Sequence, residues 1–298
     1  MSRGIEAEEL YAAVEKAAAL VGARCARDEV WPILSAYQDA FTEGLIVFSI
    51  GGREAGELEY TVQVSAETDP YQPALAGGFV PRTDHPVTTL LPEIRSRAPV
   101  GDLFIDGGVV GGFKKIYTQF QAPQKVADLA ALPSAPPALA ANADYFARHG
   151  LTDIVLTGID YQNRTMNLYF QLPAPLAGNL EDKAIRAMLR EIGLPEPSDP
   201  MVTYARGSYR VYPTIGWDSP QIKRISFAPQ PRRGMDLTAL PVQLPAHMEQ
   251  FLRGAPHTYT GELVNASAVK WTPTAEHLDL AAYYQATPRQ LQFFDGNA

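Results

Sequence analysis

GDLFIDGGVVGGFKKIYTQF, residues 101–120, holds two extended runs, Gly101 to Asp106 and Gly112 to Phe120, parted by the glycines 107, 108, 111 and 112. Glycine reaches backbone conformations that other residues avoid, so glycines between two strand-like runs read as a hairpin. The nearby Lys114-Lys115 brings a phosphate loop to mind. That motif, however, needs Gly-Lys-Ser/Thr opening a helix, and here the lysines sit in a strand. Successive side chains of a strand face opposite ways, so Phe113, Lys115 and Tyr117 are expected to share one face.

The same pairing recurs along the chain. Residues Glu6 to Val21 place Leu10, Val14, Ala17 and Val21 at a helical period, with acidic residues in the first turn. A hairpin follows, Gly44 to Ile50 and Glu57 to Val64, with its turn at Gly51 to Gly56. Helical signal at 86–96 leads into the hairpin quoted above. Helices at 124–131 and 137–149 precede strands at 152–160 and 164–171. A helix at 179–192 precedes strands at 201–214 and 221–228, and one at 244–253 precedes strands at 257–271 and 277–285. The Pro-rich piece 133–137 reads as a loop capping the next helix rather than as a domain linker. The order helix, strand, strand, helix repeats about five times. Hairpins make neighbours antiparallel, so ten strands without a linker predict one domain over 1–298: an α+β fold with a closed barrel ringed by helices.

Splitting each strand by face gives a consistent result. Thr165, Asn167 and Tyr169 oppose Met166, Leu168 and Phe170; Ser208, Arg210 and Tyr212 oppose Tyr209 and Val211. Arg224 and Ser226 oppose Ile225 and Phe227, Glu59 and Thr61 oppose Tyr60 and Val62, and Asp279, Ala281 and Tyr283 oppose Leu280, Ala282 and Tyr284. A sandwich with one wet face has the same alternation. The amphipathic helices decide between the two, because their apolar stripes need the apolar strand faces. The polar and aromatic faces then line a lumen. Lys115, Arg210 and Arg224, beside the donors Tyr212, Thr165 and Asn167, suit an oligophosphate. Tyr117, Tyr169 and Tyr283 supply aromatic faces for a substrate ring or a carbocation.

Bulk properties narrow the partners. A chain of 298 residues with 46% apolar and 19% charged residues and a net charge of −8 has the composition of a folded globular protein, and its charge repels nucleic acid and anionic membranes. Small molecules are the expected partners. The longest apolar stretches fall far short of the roughly 20 residues that cross a bilayer. With no signal-peptide pattern and one cysteine, Cys25, the expected compartment is the cytoplasm and the expected state a monomer. Cys25, between Arg24 and Arg27, reads as a bystander thiol. The five histidines are scattered and no nucleophile elbow occurs, so hydrolase and metalloenzyme readings lose support.

Several strings are similar to the soluble ABBA-type (PT-barrel) aromatic prenyltransferases of bacterial secondary metabolism. They are Cys25-Ala26-Arg27-Asp28 with Trp31-Pro32, Asp69-Pro70-Tyr71, Gly111-Gly112-Phe113-Lys114-Lys115, Asp160-Tyr161 with Asn167-Leu168-Tyr169-Phe170, Val211-Tyr212-Pro213-Thr214, and Ala282-Tyr283-Tyr284. The likeness spans nearly the whole chain. It implies a ten-stranded antiparallel barrel that transfers a dimethylallyl or geranyl group from an allylic diphosphate to an electron-rich aromatic acceptor. On that resemblance the diphosphate-binding residues fall on Lys115, Asn167, Tyr212 and Arg224, with Thr165 and Ser49 nearby, and Lys115, Arg224 and Tyr212 assist the leaving group. The acceptor side falls on Tyr117, Tyr169, Val155 and Tyr283. Departures are informative. Glu59 stands where magnesium-using members carry Asp, which leaves metal use open; Asp279 and Asn163 stand where lysines are expected. Lys270 and Arg210 are the expected replacements, Lys270 because a turn near Pro273 to Glu276 sets it across from Asp279. A non-catalytic barrel that carries an amphiphilic small molecule is the alternative, but it has no use for the Lys115 and Arg224 faces.

Overall fold

The computed structural model describes residues 4–51 and 57–295. Its strands form one antiparallel sheet: β1 (Phe41–Ile50), β2 (Glu59–Val64), β3 (Val100–Gly108), β4 (Gly112–Gln124), β5 (Ile154–Asp160), β6 (Thr165–Gln171), β7 (Ser208–Gly216), β8 (Arg224–Pro229), β9 (Arg232–Arg233), β10 (Val264–Trp271) and β11 (Glu276–Gln285). Neighbours follow sequence order from β1 to β8, β8 pairs with β10, β10 with β11, and β11 returns to β1. Ten strands thus close a barrel, and the two-residue β9 only flanks the start of β10. Closure removes the open edges that would otherwise seek another strand.

Helices cover the outside. The expected helices correspond to Ala7–Leu20, Val87–Arg97, Val126–Ala130, Asp182–Glu191 and Ala246–Gly254, while 137–149 divides into Pro137–Ala141 and Ala143–Arg148. Pro137 sits in the first turn of its helix, where a missing N–H costs nothing. Residues 201–205, read as strand, belong instead to the helix Asp199–Ala205. Pro200 in its first turn presets a helical φ, and Met201, Val202 and Ala205 bury one side of it. The strand expected at 257–271 starts only at Val264. Helices Arg27–Tyr37, Tyr71–Ala76 and Pro288–Asp295 were not foreseen; in the first, the interior Pro32 masks the helical pattern. The turn read at Gly51 to Gly56 lies, beyond Gly51, outside the described residues. Among the described residues no helix is long and apolar enough to cross a membrane.

Burial alternates along the strands as a helix-coated barrel requires. Phe48, Tyr60, Val62, Ile105, Leu168 and Phe227 are fully buried on the outer face under the helices, whereas Val47, Ser49, Glu59 and Thr61 are half-buried on the lumen face. The apolar core is therefore the annulus between barrel and helices, and the lumen is wet.

Among the register shifts of the sheet, those on β4 and β7 turn candidate residues to the other face. Lys115 lies opposite Asp106 and Phe113 opposite Gly107, so Lys114 is an extra residue on β4. Phe113, expected inward beside Lys115, is turned outward and stacks on Tyr37 with ring centroids 6.0 Å apart. On β7, Ser208 lies opposite Pro229 and Arg210 opposite Ala228, so Tyr209 is the extra residue. Ser208, expected to share the Arg210 face, is fully buried away from the lumen, while Tyr209 joins Arg210 in lining it.

Phe48 tests where the core lies. It is fully buried, with its ring 5.4 Å from that of Tyr284. Phe48→Ala is expected to cost about 3–5 kcal/mol of unfolding free energy in urea titrations. A loss under about 1 kcal/mol, the level of an ordinary surface change, would place the core elsewhere.

Candidate active site

The lumen encloses a cavity of about 400 Å³. One end, where β1, β3, β5, β7 and β10 finish, gathers charge; the other, where β7 begins and β11 finishes, is aromatic. Ser49, Glu59, Lys115, Asn167, Arg224, Lys270 and Asp279 line the charged end. Tyr117, Tyr169 and Tyr212 line the middle, and Tyr209, Arg210 and Tyr283 the far end.

At the charged end a polar chain fixes one guanidinium. Arg224 Nε donates to Thr214 Oγ1 at 3.0 Å, and Thr214 Oγ1 donates to Asn167 Oδ1 at 2.8 Å. The register that aligns Thr214 with both Asn167 and Arg224 makes this chain possible. Among the described residues Arg224 meets no carboxylate. The lysines differ. Lys115 Nζ lies 3.7 Å from Asp106 Oδ2, Lys114 Nζ donates to Glu59 Oε1 at 2.5 Å, and Lys270 pairs with Asp279. Lys270 stands directly opposite His277 rather than Asp279, as the register of β10 and β11 shows. The pair closes along the diagonal, two residues up the strand, which a long lysine side chain spans.

Asp106 escaped the sequence reading. It is 1% exposed, its Oδ1 accepts from Thr61 Oγ1 at 2.8 Å, and its Oδ2 has no hydrogen-bond partner among the described residues. Burial, and then the Glu59 charge, push its carboxyl up to about 7 against the opposing pull of Lys115. Burial acts to lower the Lys115 ammonium, but Asp106 and Glu59 outweigh it and raise it, so this lysine stays charged. Burial likewise acts to raise Glu59, yet Lys115 and Lys114 hold it below its ordinary value. Glu59 therefore stays ionised with a lysine ammonium already on it. Lys114 engages one of the two Glu59 oxygens, Oε1, so the carboxylate has a cation beside it without a metal.

The aromatic platform is built by close packing. Tyr169 stacks on Tyr212 with centroids 4.6 Å apart, and Tyr117 meets Tyr169 edge-on at 6.1 Å. Gly158 on β5, opposite Tyr117, makes room for that ring: a Cβ there would lie 2.6 Å from Tyr117 Cε1. Burial raises the phenols of Tyr117, Tyr169, Tyr212 and Tyr283, so all remain neutral donors.

Most of the candidate residues meet in this cavity, but three stand apart. Thr165 shares the Asn167 face yet is buried beyond the cavity lining. Val155 lies in an irregular stretch of β5 between Ile154 and Leu156, off the lining, because the register shift there breaks the alternation. Arg210 lines the cavity at the end away from Arg224. Missed residues are Lys114, Asp106, Tyr209, Thr214 and His277. The doublets Lys114-Lys115 and Tyr209-Arg210, two polar or aromatic residues where alternation demands one, are the sequence signal of the bulges. Cys25 is half-buried and burial raises its thiol, in keeping with a bystander.

A closed antiparallel barrel with helices outside, a cationic end and a tyrosine platform inside defines the class of aromatic prenyltransferases. The chain belongs to the family described as aromatic prenyltransferase Orf2, whose model matches residues 5–291. It is 39% identical to a 5,10-dihydrophenazine-1-carboxylate 9-dimethylallyltransferase of Streptomyces anulatus, over 96% of this chain and 95% of that one. It is 37% identical to a flaviolin linalyltransferase of Streptomyces virginiae, over 96% and 94%. Among solved structures it resembles the Streptomyces coelicolor 5-dimethylallyl tryptophan synthase, with a TM-score of 0.55 at 11% identity over 96% of each chain, a likeness of fold alone. The chain is an aromatic prenyltransferase.

Asp106 gives a pH signature. An unfolded Asp titrates near 4 and the folded Asp106 near 7, so the native state binds more protons between these values. The stability this group contributes is full below about pH 4 and is lost as pH rises through about 7. Urea midpoints of Asp106→Asn are expected to fall less between pH 5 and pH 8 than those of the parent. Identical slopes would contradict the buried carboxyl.

Proposed function

We propose that the charged end holds the diphosphate of an allylic donor, dimethylallyl or geranyl, and that the tyrosine platform holds an electron-rich aromatic acceptor of secondary-metabolite biosynthesis. The observation that carries the reading is Arg224: a guanidinium aimed into the lumen by Thr214 and Asn167, with no carboxylate partner among the described residues. Such a group is preorganised for an anionic ligand. Lys115, Tyr212, Asn167, Lys270 and Ser49 supply further donors around it.

Ionisation breaks the carbon–oxygen bond of the donor. Negative charge grows on the diphosphate, where Lys115, Arg224 and the Tyr212 hydroxyl stabilise it. The allylic cation lies against the faces of Tyr117, Tyr169, Tyr212 and Tyr283, which attract it and keep water away. A ring carbon of the acceptor attacks, a carbon–carbon bond forms, and the ring proton leaves to the released diphosphate. Lys114 neutralises the Glu59 carboxylate beside the donor, so the reading does not call on a divalent metal.

Incubation with dimethylallyl or geranyl diphosphate and naphthol, phenol, indole or phenazine acceptors is expected to yield a mass gain of one prenyl unit. Binding of the diphosphate with no product from any pair would turn the reading toward a carrier. Arg224→Ala is expected to lower kcat by about 10²-fold or more, and a neutral effect would remove it from the donor site. Activity is expected to survive EDTA; abolition by EDTA with recovery on magnesium would show that Lys114 does not take the metal's place.

A further inference from the structure

The cations in and beside the lumen fall into two sets. Lys114, Lys115 and Lys270 each lie against a carboxylate, Glu59, Asp106 and Asp279 respectively. Arg224 and Arg210 have none among the described residues. The donor diphosphate accounts for Arg224. Arg210 is unexplained, and its place in the barrel argues against a share in the same ligand.

Arg210 lies near the start of β7, opposite Gln171 on β6 and Ala228 on β8. Thr214, which holds Arg224, is four residues further along the same strand. At roughly 3.3 Å per residue the two levels are about 13 Å apart. A diphosphate, two tetrahedra sharing one oxygen, is much shorter than that. The expectation that Arg210 replaces a missing donor-site lysine is therefore not met by the geometry. Between the two arginines lies the Tyr169–Tyr212 stack. The sequence along the lumen is thus diphosphate cations, aromatic platform, then a second guanidinium.

The local setting of Arg210 presents its fork. Nε is spent on Gln171 Oε1 at 3.3 Å, and the guanidinium carbon sits 4.9 Å from the Tyr209 ring centroid. The bulge at Tyr209 is what brings this ring to the same side as its neighbour. The two terminal nitrogens have no protein partner among the described residues, and together they match the two oxygens of a carboxylate. Once the donor is bound, its diphosphate charge lies at the opposite end and would repel an acceptor entering with its anion first.

We propose that Arg210 anchors a carboxylate on the aromatic acceptor, so that the preferred acceptors are aromatic carboxylates whose ring lies on the tyrosine platform with the charged end turned away from the diphosphate. This inference rests on the prenyl-transfer reading above and adds the acceptor class to it. Arg210 acts as a specificity determinant: it fixes which ring edge faces the allylic cation and leaves the ionisation of the donor to Arg224 and Lys115.

The test compares 1-hydroxy-2-naphthoate with 1-naphthol as acceptors for dimethylallyl diphosphate, in the parent, Arg210→Gln and Arg210→Lys. The parent is expected to favour the carboxylate in kcat/KM. In Arg210→Gln that preference should collapse by about 10- to 100-fold, the usual consequence of removing one charge-assisted bidentate pair. Arg210→Lys keeps the charge without the fork and should fall between the two. An unchanged preference together with a raised KM for the diphosphate would overturn the proposal and return Arg210 to the donor. Binding of 1-hydroxy-2-naphthoate, followed by quenching of intrinsic fluorescence, gives a readout independent of turnover. Binding weakened tenfold or more in Arg210→Gln supports the anchor, and equal binding overturns it. Absence of any transfer by the parent alongside such weakened binding would count against the transferase reading and leave the anchor standing.

Discussion

Closing the sheet under a coat of helices forces the polarity of every strand. An amphipathic helix has one apolar stripe to bury, and the outer face of the barrel offers it a large apolar surface. Phe48, Val62, Leu168 and Phe227 meet that demand. The alternate positions are thereby turned toward a lumen that no helix fills among the described residues. The cavity is not carved out of a core; it is what remains when the core is moved to the outside.

Within that lumen charge is allotted with care. A cation held in a partly buried cavity costs solvation unless something compensates it. The lysines are compensated from the start by Glu59, Asp106 and Asp279, which is why a protein with a net charge of −8 can hold several cations together. The arginines are held by hydroxyl and amide groups instead, Arg224 by Thr214 and Arg210 by Gln171. A guanidinium is more weakly hydrated than an ammonium and tolerates this better. Arg224 and Arg210, without a carboxylate partner among the described residues, are the groups left ready to receive an anion from a substrate.

The strings that carried the family likeness separate into two kinds in three dimensions. Arg27 pairs with Glu8 and lies over the rings of Trp31 and Tyr11, and Tyr37 donates to the carbonyl of Pro70. These hold helices to one another outside the barrel. Lys115, Asn167, Tyr169, Tyr212 and Tyr283 face the cavity. The strings therefore combine a scaffold signature with a cavity lining, and either kind alone identifies less than both together.

Period-two alternation let most of the lumen be read directly from the chain, because a regular strand has a single choice of face per residue. Tyr117, Tyr169, Arg224, Asp279 and Tyr283 followed from it, as did the hairpin order and the barrel. The bulges did not, since one extra residue reverses the face of everything on one side of it: Phe113 and Ser208 were put inside, and Tyr209 outside. Asp106 was invisible because its significance lies in the neighbours it meets across two strands, and Val155, taken from the family likeness, lies off the lining at a local register shift. The sequence by itself determined the class of fold, the catalytic family and the chemical character of the lining, all of which depend on local patterns. Only the tertiary structure decided which cations carry a carboxylate and which end of the lumen each occupies, because register and strand closure set distances between residues that are remote in the chain.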